Sequence, residues 1–427
     1  MPDVAPIAST SGAAPSHTTS LGRNHLLALV SAIMALTALG IDMMLPAFDD
    51  IRAAFDLREG SADVGQVVTF FFFGLASAQV VYGPLADRFG RKPTLYLGMS
   101  IYVLGALGSA LAPTFGWLLV SRFVWGVGAA GSRVVAIAVV RDRFEGQAMA
   151  SAMSQVMAVF ILVPVFAPVL GAGVIAVVPW RGVFWACVVG AALVAVWSVR
   201  LEETRAPDDG RPRSSSSVWS GLGEVVTTRI TAWYTAASIF FQGVFTAYLA
   251  SSEVIIGDVL DWGDRFPLVF GVVAVMFGLG AYANGRVVER IGIDRAVTTV
   301  FAVLLPMCLV LVALSVGSDG VPNRWAFMTV LGLVLASFMF LLPNLNAAAM
   351  TPMGHIAGTA SAWTGAIRIA LGAVAGSFVA NEVVDTVTPL AVGATVMVFA
   401  AAACVAVARR GASASTDLDP ATIPAST

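Results

Sequence analysis

Two decapeptides align without a gap in this chain: Gly83-Pro-Leu-Ala-Asp-Arg-Phe-Gly-Arg-Lys92 and Gly285-Arg-Val-Val-Glu-Arg-Ile-Gly-Ile-Asp294. Both carry a glycine, an acid, an arginine, an apolar residue and a glycine in the same order. Each copy follows the second long apolar segment of its half of the chain, which favours internal duplication over chance. Duplicated membrane bundles pack around a pseudo-twofold axis along the membrane normal, with the binding site between the halves. The repeat therefore predicts both an architecture and the place of a site.

The composition identifies the class of protein. Of 427 residues, 58% are hydrophobic and 12% are charged, whereas soluble domains carry about 25% charged residues. A membrane-spanning helix uses about 20 residues, so twelve spans would use about 240. The chain is therefore predicted to be an all-α membrane protein with twelve transmembrane helices in two pseudo-symmetric six-helix bundles. The net charge of −2 gives no case for nucleic acid as a partner.

The apolar segments divide the chain into two bundles. The division is a disordered tail (1–22), an N-terminal bundle (23–199), a linker (200–229), a C-terminal bundle (230–408) and a second disordered tail (409–427). The distribution of basic residues predicts the orientation of the chain in the membrane, because cytoplasmic loops of membrane proteins are rich in Lys and Arg. Of the 24 basic residues, 16 lie in the tails, the even-numbered loops and the linker, and five in the odd-numbered loops. Both termini are therefore predicted to be cytoplasmic.

The first decapeptide joins span 2 to span 3 at the cytoplasmic side. Asp87 could accept charge-assisted bonds from an arginine or from the amides at the start of a neighbouring helix. Such a contact would hold the two halves together in one conformation; an ordinary basic loop is the alternative. The predicted gate residues are Gly83, Asp87, Arg88, Gly90, Arg91 and Lys92 in the first copy, and Gly285, Glu289, Arg290 and Gly292 in the second.

The glycine–acid–base order of this loop resembles the signature loop of the major facilitator superfamily. Within it, Gly40-Ile-Asp-Met-Met-Leu-Pro-Ala-Phe48 is similar to a motif of the bicyclomycin/chloramphenicol-resistance (Bcr/CflA) branch of drug:proton antiporters, with Met44 where tyrosine is usual. The stretch 121–142 resembles the span-4 segment of that branch. Val163-Pro-Val-Phe-Ala-Pro-Val-Leu-Gly171 is similar to the antiporter motif, with Ala167 replacing its usual glycine. The resemblance covers about residues 24–408 and implies this fold and proton-driven export.

Charges inside spans are costly and point to function. Asp42 lies about 6 Å from the outer end of span 1, and Arg122 about 9 Å from the outer end of span 4, at 1.5 Å per residue. Burial disfavours an ionised carboxyl and a nearby arginine favours it, so an approaching and departing Arg122 could load and release a proton. The resemblance implies the same proton-coupling roles for both residues. A static buried ion pair is the alternative.

Further span residues are candidates for movement and binding. Pro164 and Pro168 each lack a donor amide, which predicts a kink in span 5, while Gly171 permits close packing against a neighbour. Arg133 lies three turns from Arg122 on the same side of span 4, and structural pairing is its alternative role. The predicted cavity residues are Arg133, Phe241, Gln242, Asn344, Asn346, Trp363 and Arg368. Glu253 is predicted to be interfacial or a second titrating group.

The sequence thus predicts a bacterial, multi-pass cell-membrane exporter of small amphipathic drugs that acts as a monomer. It lacks the phosphate-binding loop of ATP-driven transporters, so the predicted driving force is the proton gradient and no cofactor or metal is expected. A proton-coupled importer of a small metabolite on the same fold is the main alternative. An enzyme would require convergent catalytic groups, and the three histidines, His17, His25 and His355, are scattered along the chain. A receptor that binds ligand without transport is a further possibility.

Overall fold

The computed structural model describes residues 22–58, 62–204 and 218–416, which are helical throughout apart from short connections. The α-helices of these residues are α1 (Arg23–Asp42), α2 (Phe48–Ala54), α3 (Gln66–Phe89), α4 (Arg91–Ala110), α5 (Phe115–Arg143), α6 (Gly146–Ile175), α7 (Arg181–Trp197), α8 (Val218–Thr227), α9 (Arg229–Glu253), α10 (Phe266–Ile291), α11 (Ile293–Val316), α12 (Arg324–Met350), α13 (Ala357–Asn381) and α14 (Thr388–Thr416). A π-helical turn, Val254–Val259, follows α9.

Eleven stretches of the described chain are long and apolar enough to cross a membrane. One of them, Arg324–Asn381, has 58 residues and contains α12, a 3-10 segment at Thr351–Ile356, and α13. A continuous helix of that length would extend about 87 Å, against a hydrocarbon core of about 30 Å. The sequence-based count of twelve treats this stretch as two crossings. That count and the cytoplasmic position of the termini stay predictions.

The two decapeptides adopt the same backbone geometry. Gly90 separates α3 from α4 with φ 100° and ψ 162°, and Gly292 separates α10 from α11 with φ 77° and ψ 162°. Side chains other than hydrogen strongly disfavour such positive φ values. Each glycine therefore ends one long helix and begins the next without an intervening loop. The sequence repeat is thus a repeat of structure.

The two halves meet along two helix pairs, α3 with α13 and α6 with α10. In the first pair, the hydroxyl groups of Thr69 and Ser377 are 2.6 Å apart and hydrogen-bonded. In the second, the carbonyl of Val165 lies 3.4 Å from where a Cβ of Gly271 would be. Helices α1 and α9, one from each half, are the most deeply buried of the spans. These contacts place the interface between the halves at the centre of the molecule.

The helices differ from the expected boundaries in two places. Within the predicted linker, Val218–Thr227 forms α8 and packs on α13, where the rings of Trp219 and Trp363 lie 5.5 Å apart. Helix α14 runs to Thr416, eight residues into the segment predicted to be a disordered tail. The rest of that tail (417–427), residues 1–21 of the N-terminal tail and residues 205–217 of the linker lie outside the described residues.

Candidate functional site

A cavity of about 200 Å³ lies between the two halves. Helices α3 and α5 line it from the N-terminal half, and α12 and α13 from the C-terminal half. Its lining residues are Leu75, Gln79, Ala130, Arg133, Val134, Ile137, Asn346, Met350, Ser361, Thr364, Gly365 and Arg368. Most of them lie in the half of each span nearer the predicted cytoplasmic end. The cavity is therefore lined by apolar side chains together with amide, hydroxyl and guanidinium groups.

Three of the seven predicted cavity residues line it, namely Arg133, Asn346 and Arg368. Gln242 lies behind the wall, where its Oε1 accepts a 2.5 Å hydrogen bond from Nη1 of Arg368. The cavity is also lined by Gln79, Ser361 and Thr364, which were not predicted. They are uncharged polar residues on otherwise apolar helices. Their only sequence signal is that polarity.

The other three predicted cavity residues do not line this cavity in the conformation described. Phe241 packs in the core, with its ring 5.8 Å from that of Phe301. The amide of Asn344 donates to Asn284 at 2.6 Å and to a backbone carbonyl. Trp363 borders a separate apolar groove between α3 and α13. The direction in which each side chain points depends on helix rotation, which sequence alone does not fix.

Arg122 does not pair with Asp42 in this conformation. It is fully buried, and its guanidinium donates to the carbonyls of Val67 at 3.1 Å and Gly40 at 2.8 Å. It also lies 4.7 Å from the ring centre of Trp125. Arg122 therefore joins α1, α3 and α5 within the N-terminal half. In this conformation Arg122 bonds the carbonyl of Gly40, two residues before Asp42, and not the carboxylate itself, so the static ion pair is not formed and the proton-coupling roles stay predictions.

Asp42 lies at the interface between the halves. Asp42 is only 4% exposed. Its carboxyl group makes no hydrogen bond or ion pair with the residues that the structure describes. Its electrostatic neighbour in the other half is Tyr248 of α9, whose hydroxyl is also buried without a partner. Asp42 is thus a buried carboxyl group without a cationic partner in the described part of the chain, three residues before a turn (Leu45–Ala47) that contacts α9 of the other half.

Helix α6 closes against the chain immediately after Asp42. A Cβ on Gly171 would lie 1.9 Å from the carbonyl oxygen of Met43, so only glycine permits this approach. Pro164 and Pro168 lie within α6, which stays one helix through both of them, although neither can donate a helical hydrogen bond. The segment predicted from the antiporter motif therefore packs directly beside the buried acid.

At the predicted outer end, the two halves are joined by an ion pair. The guanidinium of Arg52 lies 2.7 Å from the carboxylate of Glu253, and both side chains are buried. Arg52 also pairs with Asp49. Nearby, Gly65 lies so close to α9 that a Cβ would be 2.3 Å from the carbonyl oxygen of Ala250. Glu253 thus lies at the contact between the two halves, and these contacts form a seal at the end of the molecule opposite the predicted cytoplasmic end.

Replacing Gly65 by valine should loosen this seal, because the new side chain would force α9 away. The measurement is the rate at which a membrane-impermeant maleimide labels a cysteine at Thr69 from outside intact cells. We expect Gly65→Val to raise that rate several-fold. Gly173→Val is the matched control, since a Cβ at Gly173 meets nothing within 4 Å. Equal rates in both variants would show that Gly65 does not hold the seal.

The first decapeptide is bonded within its own half. Arg91 lies 2.6 Å from the carboxylate of Asp87 and 2.8 Å from that of Asp142. The carboxylate of Glu203 accepts hydrogen bonds from the amides of Arg91 at 2.8 Å and Lys92 at 3.0 Å, as expected for an acid at a helix N-terminus. The predicted contact of Asp87 with the other half is therefore not formed in this conformation.

The second decapeptide makes a different set of contacts. Asp294, at the start of α11, lies 3.6 Å from Arg409 of α14, and the guanidinium of Arg286 lies 4.4 Å from the ring centre of Tyr282. The two decapeptides thus share the same backbone turn. The charged contacts with Asp142 and Glu203 are made by the first decapeptide.

Comparison with known proteins identifies relatives along most of the chain. The sequence profile of the family described as Major Facilitator Superfamily matches residues 30–377. The chain is 30% identical to a protein of Haemophilus influenzae named Bicyclomycin resistance protein homolog, over 87% of this chain and 91% of the relative. It is also 30% identical to Multidrug resistance protein MdtL of Escherichia coli, over 56% of this chain and 62% of that protein.

The fold is shared with solved structures, among them a sugar transporter. The crystal structure of a D-xylose-proton symporter superposes with a TM-score of 0.71, covering 89% of this chain and 97% of the other. Sequence identity between them is 14%. This likeness establishes a common fold only.

Proposed function

The chain belongs to the major facilitator superfamily, and from this premise we propose that it exports small, amphipathic, drug-like molecules in exchange for protons by alternating access. Membership makes it a transporter of small molecules and not an enzyme. It is a multi-pass protein of the bacterial cell membrane, in keeping with its apolar helices and its bacterial relatives.

The observation that carries the proposal is the position of Asp42. A buried carboxyl without a cationic partner is costly when ionised. Movement of the halves changes the surroundings of Asp42, because the turn that follows it, Leu45–Ala47, contacts α9 of the other half. A change of water access or of neighbouring charge changes the affinity of a carboxyl for a proton. The burial of Asp42 therefore supports the proposal that it takes up a proton in one conformation and releases it in another.

The cavity and the closed outer contacts support the proposal of alternating access. The cavity lies toward the predicted cytoplasmic end, and the Arg52–Glu253 pair and Gly65 close the opposite end. The opposite state would break the outer contacts and close the cytoplasmic ones. We assign Asp87 and Arg91 to that cytoplasmic movement, because they pair at the α3–α4 junction, where the amide of Arg91 also donates to Glu203 at the start of the linker.

The direction and the kind of substrate rest on the relatives. The two named resistance proteins are 30% identical to this chain, and resistance by a transporter means export. The sugar symporter shows the fold alone. We further propose that the protein works as a monomer without a cofactor, driven by the proton gradient.

The proposal is tested by a susceptibility panel in an efflux-deficient bacterial host. Cells that produce the wild-type protein should tolerate several-fold higher concentrations of at least one amphipathic antibiotic than cells with an empty vector. Asp42→Asn should remove that protection, whereas Asp50→Asn, the same change at an exposed position nearby, should retain it. Absence of protection for every compound, together with proton-driven uptake of a metabolite, would favour the importer instead.

A further inference from the structure

Two arginines, one from each half, share the central cavity. Arg133 of α5 and Arg368 of α13 both line this cavity of about 200 Å³, so their like charges share one small volume. Each lies about 15 Å from the predicted cytoplasmic end of its helix, counted at 1.5 Å per residue. They therefore face the same volume at the same depth, near the middle of the membrane.

Neither guanidinium has an anionic partner among the described residues. Arg368 is 8% exposed, donates to the neutral amide oxygen of Gln242, and leaves its buried Nε without a hydrogen bond. Arg133 makes no hydrogen bond or ion pair with those residues. The cavity wall contains neither aspartate nor glutamate over the part of the chain that the structure describes. Two positive charges thus face the cavity uncompensated.

Buried charges are normally paired, because an isolated one is costly. We propose that Arg133 and Arg368 bind an anionic group of the transported molecule, a carboxylate, phosphate or sulfonate, and so set the substrate class of the transport function proposed above. Guanidinium groups suit such anions because they donate two parallel hydrogen bonds to neighbouring oxygen atoms. Gln79, Ser361 and Thr364 supply further polar contacts around them.

The arrangement also couples binding to movement. The two arginines belong to opposite halves, so their repulsion holds the cavity apart when it is empty. An anion between them replaces repulsion with two attractions and draws α5 and α13 together. Binding of the proper substrate would thereby favour closure of the cytoplasmic side.

The charge of the cavity can be measured without knowing the substrate. Ser361 lines the cavity and is exposed to it, so a cysteine there can be modified by sulfonatoethyl or trimethylammonioethyl methanethiosulfonate, which carry opposite charges. The ratio of the two rates, each divided by its rate with free mercaptoethanol, cancels changes in the reactivity of the thiol. We expect the anionic reagent to be favoured by about tenfold, a factor worth about 1.4 kcal/mol.

Variants assign that preference to the arginines. Arg133→Gln and Arg368→Gln should each reduce the ratio, and Arg368→Lys, which keeps the charge, should retain most of it. Purified protein with its three native cysteines, all buried, gives the background. Benzoate should also slow the labelling more than benzamide, its neutral analogue of similar shape. A ratio near one, a ratio unchanged in both glutamine variants, or equal effects of benzoate and benzamide would overturn the proposal.

These labelling experiments need no transport, so the two proposals can fail separately. Loss of the charge preference with intact export would contradict the anion site alone. A clear charge preference in a protein that exports nothing would contradict the proposed export alone.

Discussion

Asp42→Asn should abolish energised export while leaving gradient-free exchange of substrate intact. The amide has the shape of the acid but cannot carry a proton in exchange. Asp42 makes no hydrogen bond or ion pair among the described residues, so its replacement should cost the fold little. The measurement is counterflow in proteoliposomes, in which labelled substrate enters against unlabelled substrate without a proton gradient, beside active transport with one.

Together, the two assays distinguish a loss of proton coupling from a general loss of transport. We expect active transport by Asp42→Asn to fall to the level of empty liposomes and counterflow to stay near that of the wild type. Asp50→Asn, at an exposed position, should leave both unchanged. Retained active transport would remove Asp42 from proton coupling, and loss of both activities with a lowered melting temperature would make its role structural.

Arg122→Leu should damage the fold first and transport as a consequence. The substitution removes hydrogen bonds to the carbonyls of Val67 and Gly40, and hydrogen bonds to a charged group contribute about 1.5–3 kcal/mol each. The desolvation cost of the buried arginine offsets part of this loss. We expect the apparent melting temperature of the purified protein to fall by about 2–5 °C.

The same experiment separates this role from the one implied by the sequence. If Arg122 acted only as the partner of Asp42 in proton coupling, Arg122→Leu would retain its melting temperature and lose active transport alone. Arg122→Lys should lie between, because one ammonium group replaces a planar group that reaches two helices. Arg265→Leu, at an exposed position, is the control for removing an arginine.

The sequence predicted those parts of the molecule that depend on composition and periodicity. The apolar segments and the matching decapeptides predicted helical halves, and Gly90 and Gly292 have closely similar backbone angles. The depth of each residue in the membrane could also be predicted from the sequence, because each helical residue adds about 1.5 Å. Arg122 accordingly bonds the chain two residues before Asp42.

Helix rotation and long-range pairing were not accessible from the sequence. Arg122 and Asp42 share a depth but belong to helices whose facing sides depend on the whole bundle. Arg133 lies three turns from Arg122, yet Arg122 is enclosed by α1 and α3 while Arg133 borders the cavity. The difference arises because the surroundings of α5 change along its length, from packed helices to the opening between the halves.

The helix within the linker was missed for a related reason. Residues 200–229 are polar on average, so the few apolar residues of α8 did not indicate a helix. Their role is evident only in the structure, where they pack against α13. Val225 is buried there beside Met353 and Ala360. A short amphipathic segment in a long polar stretch gains its stability from such packing more than from its intrinsic propensity.

Proton movement on addition of substrate tests the central claim most directly. Everted membrane vesicles are energised until their interior is acidic, and a compound identified by the susceptibility panel is then added while a fluorescent pH indicator reports the gradient. The account predicts an immediate loss of interior acidity with the wild-type protein and with Asp50→Asn, and none with Asp42→Asn. Substrate entry without proton release, or proton release that persists in Asp42→Asn, would contradict it.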